Sequence, residues 1–223
     1  MLIVFDVDGT LLGGEKYDWM AFEAALRAEL GFVHTPGFFT SLGDVTAETV
    51  VAAVAKACGR ELTDSVRVSV HDLYLAGLRS AHESDAQAFS ARSGVKALLG
   101  HLRSAPEVSL AIATGDWRST ITFKLECAGI DVSGIPMATA SDAVSRADII
   151  RCAVLRADSD LSQTIYVGDG RWDLHACREL GIPLIATGAR VQALVDAGAI
   201  YVCEELSVSA FSSALQRAIR PNQ

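Results

Sequence analysis

The sequence predicts an α/β fold with a mainly parallel sheet and an inserted all-helical domain. Three observations carry this reading. Short apolar runs recur along the chain with amphipathic segments between them. Several of these runs end in a small cluster of glycine, threonine or aspartate. One long stretch, from about Gly13 to Ser90, holds helical patterns and no convincing strand. Alternation of strand and helix implies crossover connections and parallel pairing.

In chain order, the first strand is Leu2 to Phe5. The second is Val108 to Ala113, the third Ile135 to Ala138, and the fourth Thr164 to Val167. Leu184 to Ala186 and Ala199 to Val202 are the fifth and sixth. Helical spacing covers Val95 to Arg103, Arg118 to Ala128, Arg146 to Ala157, Trp172 to Leu180 and Ser207 to Ile219. Within the strandless stretch, Asp18 to Leu30 sets Trp19, Phe22, Leu26 and Leu30 near one face, with Gly31 able to close it. Thr46 is a suitable N-cap for Thr46 to Cys58, and Gly59 a stop. Asp64 to Arg79 carries Val66, Val70, Leu73 and Leu78 on a helical stripe. A block this long does not serve as a connection within one sheet. It reads as a separate helical insertion, residues 13–92, with hinges near Leu12 to Lys16 and near Ser80 to Arg92, in a core of residues 1–12 and 93–223.

Composition narrows the function classes. The chain of 223 residues is 50% hydrophobic and 21% charged, enough for a sizeable core. Its net charge of −8 argues against nucleic acid or an anionic membrane surface as partner. No apolar run approaches the roughly 18 residues of a spanning helix, and no basic segment precedes the strand at Leu2, so a cytoplasmic protein without a signal peptide is expected. Cys58, Cys127, Cys152, Cys177 and Cys203 form no C-x-x-C pair and read as reduced thiols. His34, His71, His82, His101 and His175 lack metal-ligand spacing and read as surface or packing residues.

The chemistry gathers at strand ends. Asp6-Val7-Asp8-Gly9-Thr10 follows the first apolar run. In extended chain Asp6 and Asp8 share a face, and Gly9 allows a sharp exit. Thr114-Gly115-Asp116 follows the second run, and Gly168-Asp169-Gly170-Arg171-Trp172-Asp173 follows or closes the fourth. Parallel strands bring these ends to one edge, where open α/β sheets bind ligands. Asp6, Asp8, Asp169 and Asp173 are then expected to crowd together, which calls for a hard divalent cation such as Mg²⁺. A carboxylate can also attack phosphorus, and a second carboxylic acid two residues on can serve the leaving group and then water.

These segments resemble the motifs of the haloacid dehalogenase superfamily in its phosphatase form. Asp6-Val7-Asp8-Gly9-Thr10 is similar to the first motif, Ala111-Ile112-Ala113-Thr114-Gly115 to the second, and Gly168 to Asp173 to the fourth. The third motif, usually a lysine opening a helix, is matched by Ser145-Arg146-Ala147-Asp148, with Arg151 and Arg156 as nearby alternatives. The resemblance spans the whole chain. It implies a Rossmann-like three-layer core with a helical cap inserted after the first motif, as in phosphoglycolate phosphatase-like members. It further implies Asp6 as nucleophile and Mg²⁺ ligand, and Asp8 as general acid/base and metal ligand through its carbonyl. Thr114, Gly115 and Arg146 would bind the phosphoryl group, Asp169 would ligate Mg²⁺, and Asp173 would support the metal. Asp8 separates phosphate chemistry from dehalogenation, since a halide leaves without a proton.

The expected activity is therefore Mg²⁺-dependent hydrolysis of a small phosphorylated metabolite through an aspartyl-phosphate, in a monomer or homodimer. A phosphomutase and a non-catalytic phosphate or metal sensor are the alternatives. Trp117 and Arg118 are expected to cap or pack, and Glu15 to Asp18 to form a solvated hinge.

Overall fold

A computed structural model describes residues 1–220. It has the expected architecture: an all-parallel six-stranded sheet between two helical layers, with three further helices inserted after the first strand. The strands are β1 (Leu2–Phe5), β2 (Ser109–Ala113), β3 (Met137–Ala138), β4 (Thr164–Gly168), β5 (Leu184–Ala186) and β6 (Tyr201–Val202), in spatial order β3-β2-β1-β4-β5-β6. The inserted helices are α1 (Glu15–Leu30), α2 (Ala47–Ala57) and α3 (Asp64–Ser84). The remaining helices are α4 (Val95–Arg103), α5 (Arg118–Cys127), α6 (Arg146–Arg156), α7 (Arg171–Leu180), α8 (Val191–Asp196) and α9 (Val208–Ile219).

β1 explains the layering. It lies at the centre of the sheet, pairing with β2 on one side and β4 on the other, and all four of its residues are buried. Alternation sends Leu2 and Val4 to one face, with Ala111, Ala113 and Tyr166. There α6 and α7 contribute Ile150, Ala153 and Leu174. Ile3 and Phe5 face the other way, with Ile112 and Val167, against Leu98 of α4, Ile121 of α5 and Phe211 of α9. The Phe5 and Phe211 rings stack with centroids 5.9 Å apart. A strand buried on both faces must be apolar throughout, as Leu2-Ile3-Val4-Phe5 is. The connections run to opposite sides of β1, so the carboxyl ends of β1, β2 and β4 frame a crevice.

Several boundaries differ from those read in the sequence. β2 starts at Ser109, because the Val108 N–H closes a turn onto Ala105. β3 is only Met137–Ala138, since Ile135 bonds back to Val132. β6 starts at Tyr201, the Ala199 N–H being taken by Leu194 at the end of the short α8, which the sequence did not suggest. α1 begins at Glu15, three residues early, because Gly14 adopts a left-handed conformation (φ 93°) that starts the helix there. α3 continues to Ser84. Gly31 ends α1 in the left-handed region, and Thr46 caps α2 by accepting from the Thr49 N–H.

Backbone hydrogen bonds tie the inserted segment to the core at two places among the described residues. At their base, Leu12 pairs antiparallel with Ala91, and the Gly13 N–H donates to Ser90 O at 3.0 Å. Arg92 clamps this joint, donating to the carbonyls of Gly9 at 2.8 Å and Thr10 at 3.2 Å. At the second place the loop before α2 lies on the core. Ala47 N–H donates to Gly115 O at 2.7 Å, and Thr46 Oγ1 donates to Val144 O at 2.8 Å.

Candidate active site

The crevice holds a cavity of about 240 Å³ between the strand ends and α1, α2 and α3. Asp6, Asp8, Thr114, Gly115 and Arg146 all line it. Asp169 and Asp173 are buried beside Asp6, and carboxylate oxygens of these three lie within 4.8 Å of one another.

Each of these residues is placed by local chain geometry. Asp6 directly follows β1, and its N–H donates to Val167 O at 2.9 Å. Gly9 turns the chain with φ +78°, and a Cβ there would run into the Asp169 carboxylate. Thr114 directly follows β2, with its N–H on Ala138 O at 3.1 Å. At Gly115 a Cβ would come within 2.7 Å of the Arg146 guanidinium and 2.9 Å of Val45 O. Asp173 sits in the first turn of α7 and accepts from the Gly170 N–H at 2.9 Å. Helix capping and the site are thus served by the same side chain.

Arg146 opens α6 behind its N-cap Ser145, as the capping pattern predicted. It is buried rather than exposed, and it is the central cation of the first cluster. Nη1 donates to Asp6 Oδ1 at 3.0 Å, Nη2 donates to Val45 O at 3.1 Å, and Nε lies 3.5 Å from Asp173 Oδ1. Arg151 and Arg156 instead pair at the surface, with Asp148 and Asp142.

The electrostatics of this cluster ask for more positive charge than Arg146 supplies. Burial pushes the Asp6 carboxyl well above its usual range; Asp173 adds to the rise and Arg146 opposes it. Burial, with the Asp173 charge, raises Asp169 to about 6 against the opposing Arg190, which donates to Asp169 Oδ2 at 2.8 Å. Asp169 Oδ1 is buried and has no hydrogen-bond partner. A buried carboxylate oxygen without a hydrogen-bond partner, in a triad of carboxylates, suits a hard cation, so the residues present are compatible with a bound metal.

Asp8 departs from the sequence expectation. Its carboxylate does not join Asp6, Asp169 and Asp173 but belongs to a second cluster with Asp18 and Asp116. The reason is Lys124, on α5 and 0% exposed. Its Nζ lies 2.7 Å from Asp8 Oδ2, 2.5 Å from Asp18 Oδ1 and 2.8 Å from Asp116 Oδ2. Tyr74 of α3 donates to the same Asp18 oxygen at 2.5 Å. Burial alone would lower the lysine pKa, but the charges of Asp116, Asp18 and Asp8 outweigh it and hold the ammonium protonated. Burial lifts Asp8 to about 7, with Lys124 opposing. A carboxyl in that range is suited to giving and taking a proton near neutral pH.

Lys124 and Asp116 were missed in the sequence. The signal was available: Lys124 falls on the stripe Trp117, Ile121, Lys124, Ala128, all buried, so it is a lone cation on an apolar face. Glu15 and Asp18 also depart from expectation, lining the cavity instead of forming a solvated hinge. Trp117 packs as expected, its ring edge-to-face with Phe22 and its Nε1 donating to Glu48 at 2.8 Å, while Arg118 pairs with Asp142. The five cysteines are free, and no helix among the described residues is long and apolar enough to cross a membrane.

Comparison with known proteins agrees with this fold. The chain superposes on a hydrolase from Pseudomonas syringae with a TM-score of 0.77 at 20% identity, covering 97% of this chain and 98% of that one. CbbY from Rhodobacter sphaeroides, solved in complex with phosphate, gives 0.73 at 18% identity over 95% and 98% of the two chains. The β-phosphoglucomutase of Clostridium difficile gives 0.75 at 14% identity over 98% of each. At these identities the likeness is one of fold. No protein of curated function matches the sequence. The family model of the haloacid dehalogenase-like hydrolases matches residues 3–187, from Ile3 in β1 through β5, with every carboxylate of both clusters; the chain belongs to that family.

Proposed function

We propose that the protein is a Mg²⁺-dependent phosphatase that hydrolyses a small phosphomonoester through an aspartyl-phosphate on Asp6. The observation that carries the reading is the division of labour between the two clusters. Asp6 lies beside Asp169, one of whose oxygens has no hydrogen-bond partner, and the Arg146 guanidinium, while Asp8, two residues on, stands apart with a carboxyl raised to about 7.

In the first step an Asp6 carboxylate oxygen attacks phosphorus and the bond from phosphorus to the ester oxygen breaks. Asp8 gives its proton to the departing alkoxide. In the second step water attacks the phosphorus of phospho-Asp6, Asp8 takes the water proton, and release of phosphate restores the Asp6 carboxylate. Thr114 and the backbone at Gly115 orient the phosphoryl oxygens, and Arg146 offsets their charge. Asp6, Asp169 and the Asp8 carbonyl would hold Mg²⁺, supported by Asp173, and the bound ion supplies charge neutralisation where Asp6 attacks. The small cavity under α1, α2 and α3 suits a small substrate.

A phosphomutase is the second reading, favoured by the likeness to β-phosphoglucomutase. The test is phosphate release from p-nitrophenyl phosphate and a panel of small phosphomonoesters, with Mg²⁺ or EDTA, in wild type and Asp6→Asn. Metal-dependent release lost in the variant is expected. Transfer to a sugar phosphate without free phosphate would replace the phosphatase by the mutase, and no transfer at all would leave a sensor.

A further inference from the structure

The part of the cavity beyond the phosphoryl site has an unusual charge balance. Its wall on α1 and α2 is apolar: Trp19, Phe22, Ala47 and Val50. The charged groups that reach it from this side are acidic, Glu15 and Asp18, and Asp116 adds a third from the core. The two cations that line the cavity already hold carboxylates, and so does the buried Lys124. Arg146 is held by Asp6 and Val45 O, Lys124 is sealed among three carboxylates, and Arg190 is bound to Asp169 with its guanidinium 5.8 Å from the Trp172 ring centre. Glu15, by contrast, has no ion-pair partner among the described residues.

From this wall we infer that the alcohol released from the substrate has an apolar body and carries no second anionic group, and that Glu15 receives a hydroxyl or ammonium group on it. The inference rests on the phosphatase reading and narrows it. A carboxylate or second phosphate entering here would meet the unpaired charge of Glu15 while Arg190, the lining cation that the phosphoryl group does not use, holds Asp169, and it would lose its hydration in doing so. A neutral or cationic group meets an acceptor that lacks a partner. The same wall disfavours a bisphosphate, which a sugar mutase would need to accommodate.

The experiment compares kcat/KM, with saturating Mg²⁺, for three phosphates of nearly equal size: 2-aminoethyl phosphate, 2-hydroxyethyl phosphate and phosphoglycolate, with benzyl phosphate as an apolar probe. The amino, hydroxy and benzyl esters are expected to exceed phosphoglycolate by about 10-fold or more, the scale on which an unmatched polar group is rejected. Glu15→Gln should lower the preference for the amino ester and narrow the gap to phosphoglycolate, read as ratios of kcat/KM within the one variant. Phosphoglycolate as the best substrate, or a ranking that Glu15→Gln leaves unchanged, overturns the inference while the phosphatase stands. Failure to hydrolyse any ester, p-nitrophenyl phosphate included, removes the phosphatase reading and this one with it.

Discussion

Replacing Lys124 by methionine removes one positive charge from among three carboxylates while keeping the volume of an unbranched side chain. Each ammonium–carboxylate contact in the wild type is 2.5 to 2.8 Å long. At an effective dielectric of about 20, one such pair is worth roughly 6 kcal/mol of Coulomb energy before desolvation is subtracted. The net effect is smaller, because burying the ions costs several kcal/mol each; deleting one partner of a buried pair typically costs about 3–5 kcal/mol. In the variant Asp8, Asp18 and Asp116 would have oxygens within 4.8 Å of one another and no cation. Like charges about 5 Å apart repel by roughly 3 kcal/mol per pair on the same scale, so the cluster relieves itself by taking up protons. Lys124→Met is therefore expected to lose about 3–5 kcal/mol at pH 8 in urea unfolding, or on the order of 10 °C in Tm. The loss should shrink toward pH 5, below the value of about 7 to which Asp8 is raised. Adding Asp18→Asn and Asp116→Asn to Lys124→Met should recover at least half of it. A loss below about 1 kcal/mol at pH 8, or no recovery in the triple variant, would refute the claim that this buried cation holds the three acids together.

Other consequences can be checked directly. Arg146→Met leaves Asp6 and Asp173 without their cation and should lower kcat by about 10²-fold or more, with Arg146→Lys falling between; steady-state kinetics on p-nitrophenyl phosphate would show this. Asp8 and Asp169 are raised from 3.8 to about 7 and about 6, so each binds its proton more tightly folded than unfolded. Their contribution to stability is therefore full below about pH 4 and lost as pH rises through 6 to 7. Mg²⁺ must displace the Asp169 proton to bind, so its gain in Tm by differential scanning calorimetry should be larger at pH 8 than at pH 5. Gly9→Ala places a Cβ at φ +78° against the Asp169 carboxylate. It should cost about 1–3 kcal/mol in unfolding free energy and weaken that Mg²⁺ effect.

What could be read in advance follows from where the information resides. β1, β5 and α4 are written locally, as an all-apolar run or a helical stripe ended by turn residues, and their limits needed nothing from the rest of the chain. The ends of β2, β3 and β6 depend on which neighbour takes a backbone N–H, and Val108 and Ala199 bond into turns that apolar character does not reveal. Asp6, Thr114, Asp169 and Asp173 follow strand ends closely, so parallel pairing implied their meeting, while Arg146 entered through the resemblance of its segment to the third motif. The separate position of Asp8 is different in kind. It depends on a lysine 116 positions away whose partners come from α1 and from the turn after β2. No local pattern names such partners, although a cation on the buried stripe of α5 hints that some exist.

The paired entry and exit at Leu12 and Ala91 bear on how this chain tolerates change in length. The entropy of closing a flexible loop grows with the number of residues in it. Here closure takes place at the base, where Gly13 and Ser90 are hydrogen-bonded and Arg92 ties the exit back to Gly9 and Thr10. β1 and the chain that leads on to α4 and β2 are held together whatever lies between residues 14 and 89. The register of Leu2 against Ser109 is thus insulated from the size of the intervening segment. Helices α1 to α3 could change in length away from Asp18, Ala47 and Tyr74, and β1 and β2 would not have to move.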